Sequence, residues 1–391
     1  MPVLNSLADA QPEIAEWRRD LHAHPELGFE ETRTAGVVAD KLRAWGVDEV
    51  VTGVGRTGVV GIIRGRDGGS GRVVGLRADM DALPIHEASG APWSSLTPGV
   101  MHACGHDGHT AMLLGAARHL AESRAFDGTV VLLFQPAEEG GGGGREMVEA
   151  GVMDAHGVQE VYGLHNMPGI PAGRFAIRPG PMMAAADLFE IELEGHGGHA
   201  AKPHDCIDTT LVGAHVMTAL QSIVSRNADP VERAVLSVTT FHTDSTAFNV
   251  IPQTAKMTGT VRTLSPEVQD LVETRMGALV SGVAAAFGAR AKVSYHRNYP
   301  VTSNHAPQTE TALAAAREVA GDAVDPDTPP LMGGEDFSFM LNARPGAYIF
   351  LGAGEDRAGV HHPKYDFNDE IIPQGASWLV KVAEASLAKG A

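Results

Sequence analysis

The chain has 391 residues, long for a single hydrophobic core, so two domains are expected. Its 48 Asp and Glu against 30 Lys and Arg give a formal charge of −18, which argues against nucleic acid or an anionic membrane as main partner, because both attract basic surfaces. The only cysteines, Cys104 and Cys206, exclude a disulfide framework and fit a reducing compartment. With no leader-like start and no apolar run near the ~20 residues that span a bilayer, a cytoplasmic location is the expectation.

Apolar residues Ile14, Trp17 and Leu21 predict an amphipathic helix over 12–21. His22 and His24 follow just before Pro25, where histidines serve packing or capping more readily than metal binding. A second helix is predicted over 32–45, closed by Gly46. Val- and Ile-rich strands over 59–64 and 72–76 flank a glycine-rich turn, and the second runs straight into Asp79 and Asp81. Carboxylates just past a buried strand sit where open α/β sheets build their sites, although either alone also suits a turn.

His102, Cys104, His106, Asp107 and His109 then fall within eight residues, with Gly105 and Gly108 between them. All are metal-ligand types when deprotonated, and a hydrogen-bonded histidine-rich turn is the other reading. A helix over 110–121 follows, with Asp107 or Thr110 as its cap. The continuous apolar run 129–134 predicts a buried strand feeding Glu138 and Glu139. Residues 140–144 are all glycine, but no Lys-Ser/Thr follows, so they read as a flexible loop near the site rather than a phosphate loop. The strand 161–164 ends at His165. Three strands thus end in polar residues, which predicts a mostly buried sheet whose strand ends converge on one pocket.

From 181 to 297 the pattern becomes strand 187–194, helix 209–225, strands 234–241 and 255–262, helix 266–287 and strand 291–295. That order is ferredoxin-like and predicts an inserted α+β domain over 181–297, between parts 1–180 and 298–391 of an α/β catalytic domain. The remainder holds a helix over 309–319, a polar turn at 333–338 that opens another helix, a strand over 347–351, and the pair His361-His362 before Pro363.

Asp79, Asp81, Cys104, His106, Glu138, Glu139, His165 and His361 are too many donors for one tetrahedral ion with an open position, so two metals in one pocket fit better. Such ions polarise a carbonyl and acidify a water, and one carboxylate must stay free as general base.

The motifs Cys104-Gly105-His106-Asp107-Gly108-His109, Gln135-Pro136-Ala137-Glu138-Glu139-Gly140, Gly163-Leu164-His165-Asn166, Gly195-His196-Gly197-Gly198-His199, Asn249-Val250-Ile251-Pro252 and His361-His362-Pro363, with Asp366-Phe367-Asn368, span nearly the whole chain. In this order they resemble the hippurate hydrolases, auxin-conjugate hydrolases and bacterial N-acyl-amino-acid deacylases, a branch of the aminoacylase and carboxypeptidase metallohydrolases. The resemblance implies a mixed-sheet, zinc-peptidase-like catalytic domain and an inserted lid or dimerisation domain. It implies two divalent ions, zinc or manganese before cobalt or nickel, held by Cys104, His106, Glu139, His165 and His361. It makes Glu138 the general base and Asp81 the residue that orients the metal ligands. His199 is implied to reach a partner subunit's site in a homodimer and stabilise the oxyanion, with Asn249 and Arg262 near a substrate carboxylate. The implied reaction is hydrolysis of the amide bond of a small N-acyl amino acid; a dipeptidase or aminopeptidase, or a non-catalytic binding protein, are the alternatives. This chain departs from the pattern at His362, which leaves His361 or His362 as the ligand with His361 preferred, in the lack of a double glycine over 241–248, and at Gln253-Thr254, where an acidic residue is more usual.

Overall fold

The computed structural model describes residues 3–66 and 69–388, so residues 67–68, inside the glycine-rich turn expected after the strand at 59–64, lie outside the described residues. The chain packs as two compact units: Met1–Met182 with Ser303–Pro329 and Asp336–Ala391, and Met183–Thr302 with Pro330–Glu335.

The first unit is built on an eight-stranded mixed sheet. After helices α1 (Gln11–Ala23) and α2 (Thr32–Ala44) come strands β1 (Glu49–Val54), β2 (Gly58–Arg64) and β3 (Val73–Asp79). Helix α3 (His106–Ser123), strand β4 (Thr129–Gln135), helix α4 (Gly143–Glu149), strand β5 (Glu160–Pro168), strand β6 (Gly346–Gly354) and helix α5 (Ile372–Ser386) follow. In space the order is β1, β2, β4, β3, β5, β6, then the two-residue strands Phe175–Ala176 and Val324–Asp325. Strands β4, β3, β5 and β6 run parallel, with Asp79 opposite Gln135 and Phe350 opposite His165. That register brings the chemistry-bearing residues of three separate segments to the carboxyl ends of the central strands.

The apolar run of β4 is fully buried over Val130, Val131, Leu132, Leu133 and Phe134, as a central strand covered on both faces requires. Strand β1 was not expected: its pattern of exposed and half-buried positions lacks both an apolar run and a clean alternation. Helix α3 is buried on nearly every side, with Leu113, Leu114 and Leu120 at 0 % exposure, and each such leucine contributes roughly 1.5–3 kcal/mol. It starts earlier than 110, at His106, and neither Asp107 nor Thr110 caps it. Its N-cap is Gly105 at φ 92°, a left-handed position where a Cβ would also lie 2.2 Å from Asn166 Nδ2. Asp107 instead faces His22, and the Thr110 hydroxyl donates to the Asp79 carbonyl. Of the glycine run 140–144, Gly140 and Gly141 form a turn as a loop would, but Gly143 and Gly144 are buried and open α4.

The second unit carries the expected alternation of strands and helices. Its four-stranded antiparallel sheet has the order Ala234–Thr243, Thr254–Thr263, Ala185–Glu194, Arg290–Tyr299. Phe189, Ile191 and Leu193 point from one face onto Val212, Val216 and Leu220 of helix Thr209–Ser222 and Val272 and Met276 of helix Pro266–Ala286. Leu188, Glu192 and Glu194 are exposed on the opposite face. Pro330–Glu335 groups with this unit because the Ala184 amide donates to the carbonyls of Leu331 and Gly333, a pairing invisible to local sequence pattern. Among the described residues no helix is long and apolar enough to cross a membrane.

Candidate metal centre and active site

The loop after β3 supplies Asp81, which is buried and organises three groups at once. Its Oδ1 accepts from the Glu138 amide at 3.0 Å and lies 3.2 Å from His106 Nδ1, while its Oδ2 accepts from the Glu139 amide at 2.9 Å. The Asp81 carbonyl accepts from His106 Nδ1 at 3.0 Å, which leaves His106 Nε2 buried without a hydrogen-bond partner, 3.7 Å from Asp79 Oδ2. Burial disfavours the protonated form of His106, but the neighbouring Asp79 and then Cys104 outweigh it and hold the imidazole well above its usual range.

His165 completes the picture from β5. Burial and then the neighbouring His109 push it well below the usual imidazole range, so it is neutral. Its Nδ1 donates to the Asn166 carbonyl at 2.5 Å and its Nε2 lies 3.3 Å from Cys104 Sγ. Burial and the Glu139 charge push the Cys104 thiol up, so losing its proton there needs a cation beside it.

The ligand atoms of Cys104, His106 and His165 lie within 4.8 Å of one another, as do those of Cys104, Glu139 and His361, and those of His106, Glu138 and Glu139. A thiol, three imidazoles and two carboxylates in overlapping groups, with a buried unpartnered imidazole nitrogen, fit a divalent-metal centre. His361, not His362, joins the cluster. It adopts φ 64°, its amide donates to the Ala103 carbonyl, and its Nε2 faces Glu139 Oε1 at 3.1 Å. His362 is exposed and accepts from the Lys364 amide through Nδ1.

Around these donors lies a buried polar frame that adds Arg77 and Asp336, which no local motif singles out, to Asp79 and His109. His109 Nδ1 is 2.6 Å from Asp79 Oδ1, and its Nε2 accepts from the Asn166 amide at 2.9 Å, which ties α3 to β5. Arg77 donates to Gln135 Oε1 at 2.8 Å, Asp79 Oδ2 at 2.8 Å and Asp336 Oδ1 at 3.1 Å. Burial pushes Asp79 up, yet the charges of Arg77, His106 and His109 hold it well below the usual carboxylate range. The Asp336 amide lies 3.4 Å from Glu138 Oε1. An arginine at the end of a run as apolar as Val73-Val74-Gly75-Leu76 is itself a signal, because a guanidinium inside a sheet demands buried carboxylates.

His22 is a packing residue in the expected sense, though a charged one. Its Nδ1 is 2.9 Å from Asp107 Oδ2 and its Nε2 3.3 Å from Glu87 Oε1. Burial pushes His22 down, but Asp107 and Glu87 outweigh it and raise it to about 9, while Glu87, despite burial, is lowered to about 2 by the same contact. A raised histidine stabilises the fold fully below its ordinary 6.5 and loses that contribution as pH rises through about 9. The lowered carboxylate contributes above its ordinary 4.5 and loses it in acid. Urea unfolding at pH 5.5, 7.5 and 9.5 is expected to show the gap between wild type and His22→Gln shrinking toward alkaline pH. A gap independent of pH removes the charged pair from the account.

His199, Asn249 and Arg262 belong to the second unit. His199 pairs with Val250 across the short ladder of Gly198–His199 with Val250–Ile251, so it stands beside Asn249, and both are exposed. The half-buried Arg262 guanidinium donates to the Val261 carbonyl at 3.0 Å and to Thr260 Oγ1. Gln253 accepts from the Gly197 amide and donates to the Gly195 carbonyl, fastening the turn before His199 with one acceptor and one donor, which an ionised carboxylate cannot supply.

A mixed α/β sheet whose parallel strand ends gather thiol, imidazole and carboxylate donors around a carboxylate pair defines a metal-dependent hydrolase. The chain belongs to peptidase family M20/M25/M40, whose model matches residues 75–385. It is 40 % identical to a hippurate hydrolase of Campylobacter jejuni over 98 % of this chain and 99 % of that one. It is 38 % identical to an N-acetylcysteine deacetylase of Bacillus subtilis over 95 % of this chain and 96 % of the other. Among solved structures, a dinuclear metal-binding peptidase of the M20 family from Bacillus subtilis superposes with a TM-score of 0.84 at 34 % identity, covering 97 % of this chain and 99 % of that one.

Proposed function

We propose that this protein hydrolyses the amide bond of N-acyl amino acids, releasing a carboxylic acid and a free amino acid. The observation that carries the reading is the division of labour between adjacent glutamates. Both amides are pinned by Asp81, yet the Glu139 carboxylate faces His361 while that of Glu138 faces the Asp336 amide. Cys104, His106, Glu139, His165 and His361 would hold two divalent ions, zinc or manganese, which when bound would supply electrophilic activation of the amide carbonyl and a more acidic water. Glu138 takes the proton of the attacking water and returns it to the leaving amine nitrogen. Asp81 keeps the His106 tautomer and the Glu138-Glu139 backbone in place. In this reading a homodimer forms through the second unit, His199 of one protomer hydrogen-bonds the developing oxyanion in its partner, and Asn249 and Arg262 bind the substrate carboxylate.

The N-acyl reading distinguishes substrates by their amino end. With manganese or zinc added, hippurate and N-acetyl amino acids are expected to be cleaved with kcat/KM at least about tenfold above dipeptides that carry a free amino terminus. A preference for free dipeptides of the same size identifies a peptidase instead.

A further inference from the structure

Glu31 is the N-cap residue of α2 and is fully buried, yet its side chain makes no capping hydrogen bond to that helix. Its Oε1 accepts from the Ala137 amide at 2.8 Å and its Oε2 from the Thr57 hydroxyl at 2.5 Å. Ala137 stands at φ 48°, a left-handed conformation that an alanine keeps only when its surroundings hold it there. The surroundings do so from two sides. A Cβ on Gly28 would come within 3.0 Å of the Ala137 Cβ, so the 28–31 segment is closely packed against this residue. Three successive amides, those of Ala137, Glu138 and Glu139, each donate to a buried carboxylate, the first to Glu31 and the next two to Asp81. The first of these anchors acts on Ala137 itself, the residue immediately before Glu138.

We propose that Glu31 is a positioning residue for the reaction: through the Ala137 amide it sets the direction of the Glu138 carboxylate. Glu31 is fully buried and hydrogen-bonds the Ala137 amide and the Thr57 hydroxyl, so Thr57 fixes it in turn. The inference rests on Glu138 being the base. It differs from a purely structural role because the bond it supplies is to the backbone immediately before that base.

The test compares metal-loaded Glu31→Ala, Glu31→Gln and Thr57→Val with wild type on the best N-acyl amino acid, reading kcat, KM, metal content and the folded fraction. A displacement of the base by about 1 Å predicts a fall in kcat of roughly 30- to 100-fold for Glu31→Ala, with KM within about threefold and metal content unchanged. Glu31→Gln keeps an acceptor for the Ala137 amide and a partner for Thr57, so it restores kcat to within about threefold of wild type. Thr57→Val is expected to lower kcat about three- to tenfold with metal retained. The proposal is overturned if Glu31→Ala keeps wild-type kcat, if its loss matches the loss of metal or folded protein, or if Glu31→Gln is as impaired as Glu31→Ala. Should Glu31→Ala not fold, wild-type kcat in Thr57→Val overturns it. Glu138→Gln run in parallel separates the two failures: an active Glu138→Gln defeats the base reading itself, whereas an inactive Glu138→Gln beside an unaffected Glu31→Ala defeats only the role of Glu31.

Discussion

Glu138→Gln is expected to leave the protein folded and its metal content at the wild-type level while lowering kcat by about 10²- to 10⁴-fold. The substitution preserves shape. A glutamine still offers an oxygen to the Asp336 amide, 3.4 Å from Oε1, and the backbone amide at 138 still donates to Asp81. What disappears is the capacity to take up a proton and give it back to the amine. Glu139, whose amide is fixed by the same aspartate and whose carboxylate faces His361, is not expected to take over, because in its proposed role as a metal ligand binding a cation and accepting a proton compete for the same oxygen lone pairs. The check is initial-rate kinetics on hippurate with metal analysis of the same sample; turnover within about tenfold of wild type removes Glu138 from the role of base.

Arg77→Ala is expected to lower stability to chemical denaturation by about 3–5 kcal/mol. The guanidinium is fully buried and bonds Gln135, Asp79 and Asp336 from three directions. Removing it strips two buried carboxylates of their guanidinium and opens a cavity under the sheet edge. Arg77→Lys is expected to recover only part of the loss, because an ammonium is a point charge and cannot reproduce the planar fork that meets three acceptors. An unfolding midpoint for Arg77→Ala equal to wild type contradicts the argument. The same variant reports on function, since Asp336 both receives Arg77 and presents its amide to Glu138.

Most elements were legible because their signals are periodic and local. The run from Val130 to Phe134 is apolar at every position and is a central strand; Ile191 and Leu193 alternate with Glu192 and Glu194 and are a half-exposed one. Strand β1 has neither pattern, since an edge strand buries too little to impose one. The glycine run misled for a similar reason. Its composition reads as freedom, but its last two residues open α4, and there Gly144 donates its amide to Asp336, a residue far along the chain.

By itself the sequence determined which side chains are able to do chemistry and at which strand ends they stand, because donor type and short-range spacing are local properties. It named Cys104, His106, Glu138, Glu139 and His165 as candidates, and the fold gathers them into overlapping clusters. Only the tertiary structure decided that His361 rather than His362 meets Glu139, that Asp107 serves His22 instead of capping a helix, and that Arg77, Asp336 and Glu31 frame the candidate base. Each of those choices pairs a buried charge or backbone amide with a partner distant in sequence. No periodicity encodes such pairings; the need to satisfy every polar group taken out of water imposes them once the chain has packed.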